Sequence, residues 1–203
     1  MDPAPALALD TVRERPGGRS ARVRARVLDA TREELARGGY GALSHRTVAG
    51  RAGVDPATVY RRWPTRPQLA TDALLDIARG AVSVPDTGSV ADDLEQFLDA
   101  VVAALAEPRL LRLFHALSAA GAEAEDDLGE TLQAFWGSRF AGAEGMVARA
   151  VERGELPRSV NAHALIEQLV APAYFRALVS GEPLEGGFTR RCVAAALAAA
   201  RST

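Results

Sequence analysis

The sequence predicts an all-α fold in two parts, a small helix-turn-helix head and a larger helical body, on three observations. Apolar residues recur at spacings of three and four along most of the 203-residue chain. Most of these stretches open on a Ser, Thr, Asp or Asn that can cap a helix, and most close on Gly or Pro. No alternating apolar run or hairpin signal interrupts the pattern. With 48% hydrophobic and 25% charged residues, the chain is neither disordered nor collagen-like. Cys192 is the single cysteine, which rules out a disulfide scaffold within the chain and a cysteine-built zinc site, and which fits a reducing cytoplasm. All 24 basic residues are Arg, and Ala fills about a fifth of the positions, the imprint of a GC-rich genome rather than of chemistry. No apolar run approaches the roughly 18 residues of a membrane span, and the Ala/Pro start at 3–9 lacks the basic flank of a signal peptide.

Residues 1–19, with three Pro and two adjacent Gly, read as a flexible arm. From Ser20 a helix carries Val23, Val27, Thr31 and Leu35 on one face and ends at Gly38-Gly39. Ser44 opens a short helix with Val48, Ala49 and Ala52; Gly53 breaks it, and Asp55-Pro56 starts another. Thr65-Arg66-Pro67-Gln68 reads as a capping box for a helix bearing Leu69, Ala73, Leu74 and Ile77, closed by Gly80. In the body, Ser89 caps a stripe of Leu94, Phe97, Leu98, Val101 and Leu105 that stops before Pro108. A shorter helix carries Leu110, Leu113, Phe114 and Leu117, and after a turn at 121–125 a longer one repeats Leu128, Leu132, Phe135, Trp136, Phe140 and Val147 up to Arg153. Asn161 caps a helix running to Gly181, and an Ala-rich helix with Val193 and Leu197 covers about 188–201. Pro172, inside the penultimate helix, removes an amide donor and crowds the carbonyl of Gln168, so a kink is expected there.

The net charge of −2 conceals an asymmetry: residues 11–70 hold 13 Arg and 5 acids, whereas residues 81–203 hold 10 Arg and 17 acids. A basic head of that kind suits a polyanion, although such patches are often only solvated surface. Its location is informative, because residues 44–62 have the layout of a helix-turn-helix, whose second helix enters the DNA major groove. Val48, Ala49, Ala52, Val54 and Val59 can bury between its helices, which leaves His45, Arg46, Pro56, Ala57, Thr58, Arg61 and Arg62 facing out.

Residues 24–75 strongly resemble the N-terminal domain of the TetR family of ligand-responsive transcriptional regulators. The resemblance rests on Gly39-Tyr40 after the first helix, Ala52-Gly53-Val54 at the turn, Thr58-Val59-Tyr60 in the second helix of the motif, and Trp63-Pro64. A weaker likeness to the penultimate helix of actinobacterial-type members covers Ala171 to Arg176 and Gly181 to Leu184. Departures are Arg66 in place of the usual Lys, and Thr31 and Glu34 where helix one is more often apolar. The resemblance implies about nine helices, with DNA binding by residues 20–65 and effector binding and dimerisation by residues 66–203. The two-fold mate is expected across the last two helices, so that a charge at Leu197 would leave monomers.

On that resemblance the candidate DNA-binding residues are His45, Arg46, Thr47, Pro56, Ala57, Thr58, Tyr60, Arg61, Arg62 and Arg66. Arg46 suits a guanine edge or a phosphate; Pro56 and Ala57 offer apolar surface to a thymine methyl or simply start the helix. Thr58 and Tyr60 match phosphate-bonding positions, and at most one of Arg61 and Arg62 can point at the groove. Arg66 adds charge to the amides of a helix N-terminus. Trp63 is a core residue. The implied partners are double-stranded operator DNA, a second copy of the chain and a small-molecule effector. The candidate effector site is Phe97, Val101, Phe114, His115, Leu117, Leu132, Phe135, Trp136, Phe140 and Tyr174, with core packing as the alternative for most of them. Gln133, Arg139 and Gln168 are further polar candidates, and the aromatic weighting favours an apolar or planar ligand. The reading is a repressor released from a palindromic operator by such a ligand. A DNA-binding dimer without an effector is the rival. A small-molecule enzyme is disfavoured: His45, His115 and His163 lack metal-ligand spacing, Cys192 lacks a nearby base, and no Gly-rich phosphate loop or cofactor motif is present.

Overall fold

The computed structural model describes residues 18–121 and 127–201; residues up to 17 of the expected arm, and residues 122–126, which include 122–125 of the expected turn, lie outside the described residues. Among the described residues there are nine α-helices and no strand: α1 Arg19–Gly38, α2 His45–Ala52, α3 Pro56–Arg62, α4 Arg66–Ala81, α5 Val90–Leu105, α6 Pro108–Gly121, α7 Leu128–Glu152, α8 Ala162–Phe175 and α9 Phe188–Arg201. None of them is long and apolar enough to cross a membrane.

The local signals act as their chemistry requires. Ser44 accepts from the amide of Thr47 at 3.1 Å and starts α2, and Asp55 accepts from Ala57 at 2.7 Å and starts α3. Between them Gly53 takes φ 63° and ψ 42°, the left-handed conformation that a Cβ would strain. At α4 the capping box is reciprocal: Thr65 and Gln68 each donate a backbone N–H to the other's side chain at 3.3 Å. A 3₁₀ turn at Tyr40–Ala42 joins α1 to α2, a detail the periodicity does not carry.

The two polar departures in α1 are accommodated. Thr31 is buried and returns its hydroxyl proton to the carbonyl of Val27 at 2.8 Å. Glu34, also buried, receives Arg51 of α2 at 2.6–2.7 Å, so the position that ought to be apolar holds α1 to α2 by charge.

Helix α4 ties head to body. Its Asp72 and Asp76 accept from Arg24 of α1, Asp76 also from Arg32 at 3.2 Å, and Asp72 from the indole N–H of Trp63 at 2.9 Å. The segment after α4 is strapped down by the end of α7. Asp93 of α5, fully buried, accepts the amide and hydroxyl of Thr87 at 2.6 and 2.7 Å and faces Arg153 at 3.6 Å. Arg149 donates to the carbonyl of Pro85, and Glu155 caps α5 by accepting from Val90 at 2.7 Å.

Pro172 lies inside α8, and after Phe175 the helix passes into a π turn at Arg176–Ser180, closed by Gly181 donating to the carbonyl of Arg176 at 2.8 Å. One expectation for the last helices needs correction. Leu197 faces its own core with Val193, Ala196 and Ala200, so it is no surface residue of α9. The outward face of α9 carries Ala194, Ala195, Ala198 and Ala199, with Arg190, Arg191 and Arg201 exposed towards its two ends. In the preceding elements, α8 and the π turn expose Phe175 and Val179 at 57% and 72%.

Candidate nucleic-acid interface

Helices α2 and α3 pack through Val48, Ala49, Ala52 and Val59, all buried, with Val54 half-buried at the turn. The shared apolar seam leaves the opposite face of α3 and the start of α2 to solvent. Arg46, Thr47, Pro56, Ala57, Tyr60, Arg61 and Arg62 are exposed, and Thr58 is half-buried.

His45 departs from the expectation of an outward-facing contact. It is 4% exposed, because its imidazole fills the space between α2 and the end of α3. Its Nε2 lies 2.7 Å from the carbonyl oxygen of Trp63, and a carbonyl only accepts, so Nε2 carries the proton. The other side of the ring stacks on Tyr60 at 4.2 Å between centroids with the planes 12° apart. His45 therefore positions α3 and holds the Tyr60 ring, whose remaining surface is half open to solvent.

The paired arginines are sorted as well. Arg62 leans back, with Nη1 3.4 Å from the hydroxyl of Ser20 and its guanidinium 5.6 Å from the Trp63 ring centre, whereas Arg61 has no side-chain partner among the described residues. Arg46 has none either. Arg66 is half-buried at the start of α4 and lies over the Tyr40 ring at 5.0 Å. Trp63 is core, as expected, 4% exposed. In Thr47 the hydroxyl shares a hydrogen bond with Ser44 at 2.7 Å.

Sequence comparison decides what this head belongs to. Residues 27–73 match the family model described as bacterial regulatory proteins, tetR family, and residues 84–196 match the tetracyclin repressor-like C-terminal domain. The chain belongs to the TetR family. It is 37% identical over 151 residues to the HTH-type transcriptional regulator AqdR of Rhodococcus erythropolis, covering 73% of this chain and 70% of that protein. To the regulator YdeS of Bacillus subtilis it is 26% identical, covering 87% and 89%. The crystal structure of the TetR family regulator SCO0332 superposes with a TM-score of 0.72 at 30% identity, over 87% of this chain and 97% of that one. The protein is thus a TetR-family DNA-binding transcriptional regulator, and members of this family work as dimers on operator DNA.

In this TetR-family body, the aromatic residues meet between α5, α6, α7 and α8. Phe114, Trp136 and Tyr174 contact one another at 5.2–5.7 Å, and Phe135 abuts Trp136 at 5.0 Å. Little space remains. One cavity of about 30 Å³ is bounded by Phe97, Val101, Trp136, Phe140 and Tyr174, and one of about 20 Å³ by Val101, Phe114, Phe135, Trp136 and Tyr174. Arg139 borders both, and also a cavity of about 110 Å³ at Val84, Ser138 and Gly142. Seven of the expected ligand residues thus line one or both of the two smaller cavities. The other three do not: Leu117 is fully packed core, Leu132 half-buried against it, and His115 exposed with Nε2 3.2 Å from the carbonyl of Leu178 in the π turn. Gln133 and Gln168 face solvent. Ile166 and Val170 of α8 complete the wall, and no residue pattern singled them out from ordinary core positions. Burial pushes the Tyr174 phenol up to about 12, against the lowering field of Arg139.

Proposed function

We propose that this regulator is a homodimeric repressor of the cytoplasm, with residues 20–65 reading a palindromic operator and residues 66–203 dimerising and binding an effector that releases it. The observation that carries the reading is the exposed face made by Arg46, Pro56, Ala57, Tyr60 and Arg61 around a seam buried on its other side. Arg46 suits a guanine edge, Pro56 and Ala57 a thymine methyl, and Thr58, Tyr60 and Arg61 phosphates, with Arg66 lending charge nearby. The mate docks on the Ala-rich face of α9 together with Phe175 and Val179, which are too large and too exposed to be left in water by a stable monomer.

The effector is a planar, largely apolar small molecule, held among Trp136, Phe140 and Tyr174 and oriented by Arg139 and the Tyr174 hydroxyl. The largest of the three cavities is about 110 Å³, well below the roughly 300 Å³ at which ligand sites begin, so entry requires the rings to part. That same filling favours a second reading, in which the body only dimerises. Selection of bound duplexes from a random library, repeated with and without planar aromatic compounds, separates the two. A recovered inverted repeat that is released by a ligand supports the first; an inverted repeat that no compound releases supports the second. Recovery of no consensus sinks both.

A further inference from the structure

Helix α1 carries two kinds of arginine. Arg24 and Arg32 point inward and are ion-paired with Asp72, Asp76 and Asp29. Arg19, Arg22 and Arg26, spaced three and four apart, share another face, are all exposed and have no side-chain partner among the described residues. An arginine stripe left unpaired beside paired ones is a partner surface rather than general solvation, provided that something anionic passes it.

Its location supplies that condition. The stripe runs beside the helix-turn-helix and lines an open groove with Gly53, Val54, Asp55 and Thr58 on the opposite wall. A Cβ added at Gly53 would stand 4.0 Å from Nη1 of Arg26, which puts that guanidinium at the turn leading into α3. At the other end, Arg19 and Ser20 line a second groove with Thr58, Arg61 and Arg62. Ala25, small and exposed, stands between the cations. Asp55 is the one carboxylate in the groove, and its oxygen is engaged by the Ala57 amide. Seven residues of helix cover about 10 Å of axis, so Arg19 and Arg26 can meet separate phosphates of one strand.

We propose that the Arg19, Arg22 and Arg26 face of α1 is a second DNA contact, which binds backbone phosphates flanking the segment read by α3 and carries no base readout. The inference rests on DNA binding by this regulator but not on any effector. It assigns to α1, which the helix-turn-helix layout treats only as a scaffold, a share of the affinity and a longer footprint on the operator.

The test uses the full-length dimer and the inverted repeat recovered by selection, in a short duplex and in one extended by several base pairs at each end. Arg22→Gln/Arg26→Gln removes two cations per protomer without removing any observed bond. Arg37→Gln, an exposed position in the last turn of the same helix and in neither groove, is the charge control. With about 0.9 of salt slope per phosphate contact, losing four contacts per dimer makes the negative slope of log K against log salt shallower by about 3.6. The expected result is that loss with an unchanged selected consensus, a smaller benefit from the extended duplex, and no change for Arg37→Gln. A slope equal to wild type overturns the proposal; so does an altered consensus, which makes these base-reading residues. If the wild-type dimer selects no duplex at all, DNA recognition itself fails and this inference with it, whereas a wild type that binds alongside an unaffected double variant removes the α1 contact alone.

Discussion

His45 and Trp63 are joined by a 2.7 Å hydrogen bond from imidazole Nε2 to the main-chain carbonyl, which links the first residue of α2 to the residue that ends α3. With Tyr60 stacked on the same ring and the Trp63 indole donating to Asp72 of α4, α3 is anchored to the helix leading into the body. Replacing His45 with Ala empties that anchor and leaves the Trp63 carbonyl without this partner. A loss of about 1–3 kcal/mol in stability is expected, together with weaker binding to specific and random DNA alike. Thermal melts and fluorescence anisotropy measure both, and unchanged values would show that the anchor is idle.

Base reading and backbone gripping separate by their dependence on sequence. Arg46→Ala is expected to weaken operator binding by about 1–3 kcal/mol and to relax one position of the selected consensus. Arg66→Ala is expected to weaken all duplexes to a similar degree. Equal losses on operator and random DNA for Arg46→Ala would make it another phosphate contact.

Assembly is best probed at Phe175, which is exposed, rather than at Leu197, which is not. Phe175→Glu should yield folded monomers in analytical ultracentrifugation. Leu197→Glu should instead lower the melting temperature sharply, since it buries a charge in the chain's own core. A folded, dimeric Phe175→Glu protein would place the interface elsewhere.

Acid sensitivity follows from two carboxylates. For Asp76 burial opposes ionisation, but hydrogen bonds and charge from Arg24 and then Arg32 outweigh it and hold the pKa below its ordinary value. For Asp93 burial is likewise outweighed, here by the amide and hydroxyl of Thr87 with Arg153 and Arg149 behind them. A depressed folded pKa means that the stabilisation is complete above about pH 4, where the unfolded chain is also ionised, and is lost as pH falls through the folded value. Denaturant melts should therefore show stability dropping below about pH 4. Asp93→Asn should flatten that decline and cost about 1–3 kcal/mol at neutral pH; a decline as steep as wild type would point to other groups.

The nine helices, the side-chain caps of five of them, the turn at Gly53 and the family are legible in the sequence, because these depend on residues within a few positions of one another. Ser44, Asp55, Thr65 with Gln68, and Asn161 all cap the helices they were expected to open. The tertiary structure alone decided which way several side chains face. His45 turns in because a carbonyl 18 residues away needs a donor, and Glu34 is tolerated because Arg51 reaches it from the next helix. Arg24 and Arg32 are separated from Arg19, Arg22 and Arg26 by acids more than 40 residues further along, on α4. Local periodicity gives a helix two faces, but only the partner packed against one of them settles whether a histidine, an arginine or a leucine there is buried or presented to DNA, ligand or mate.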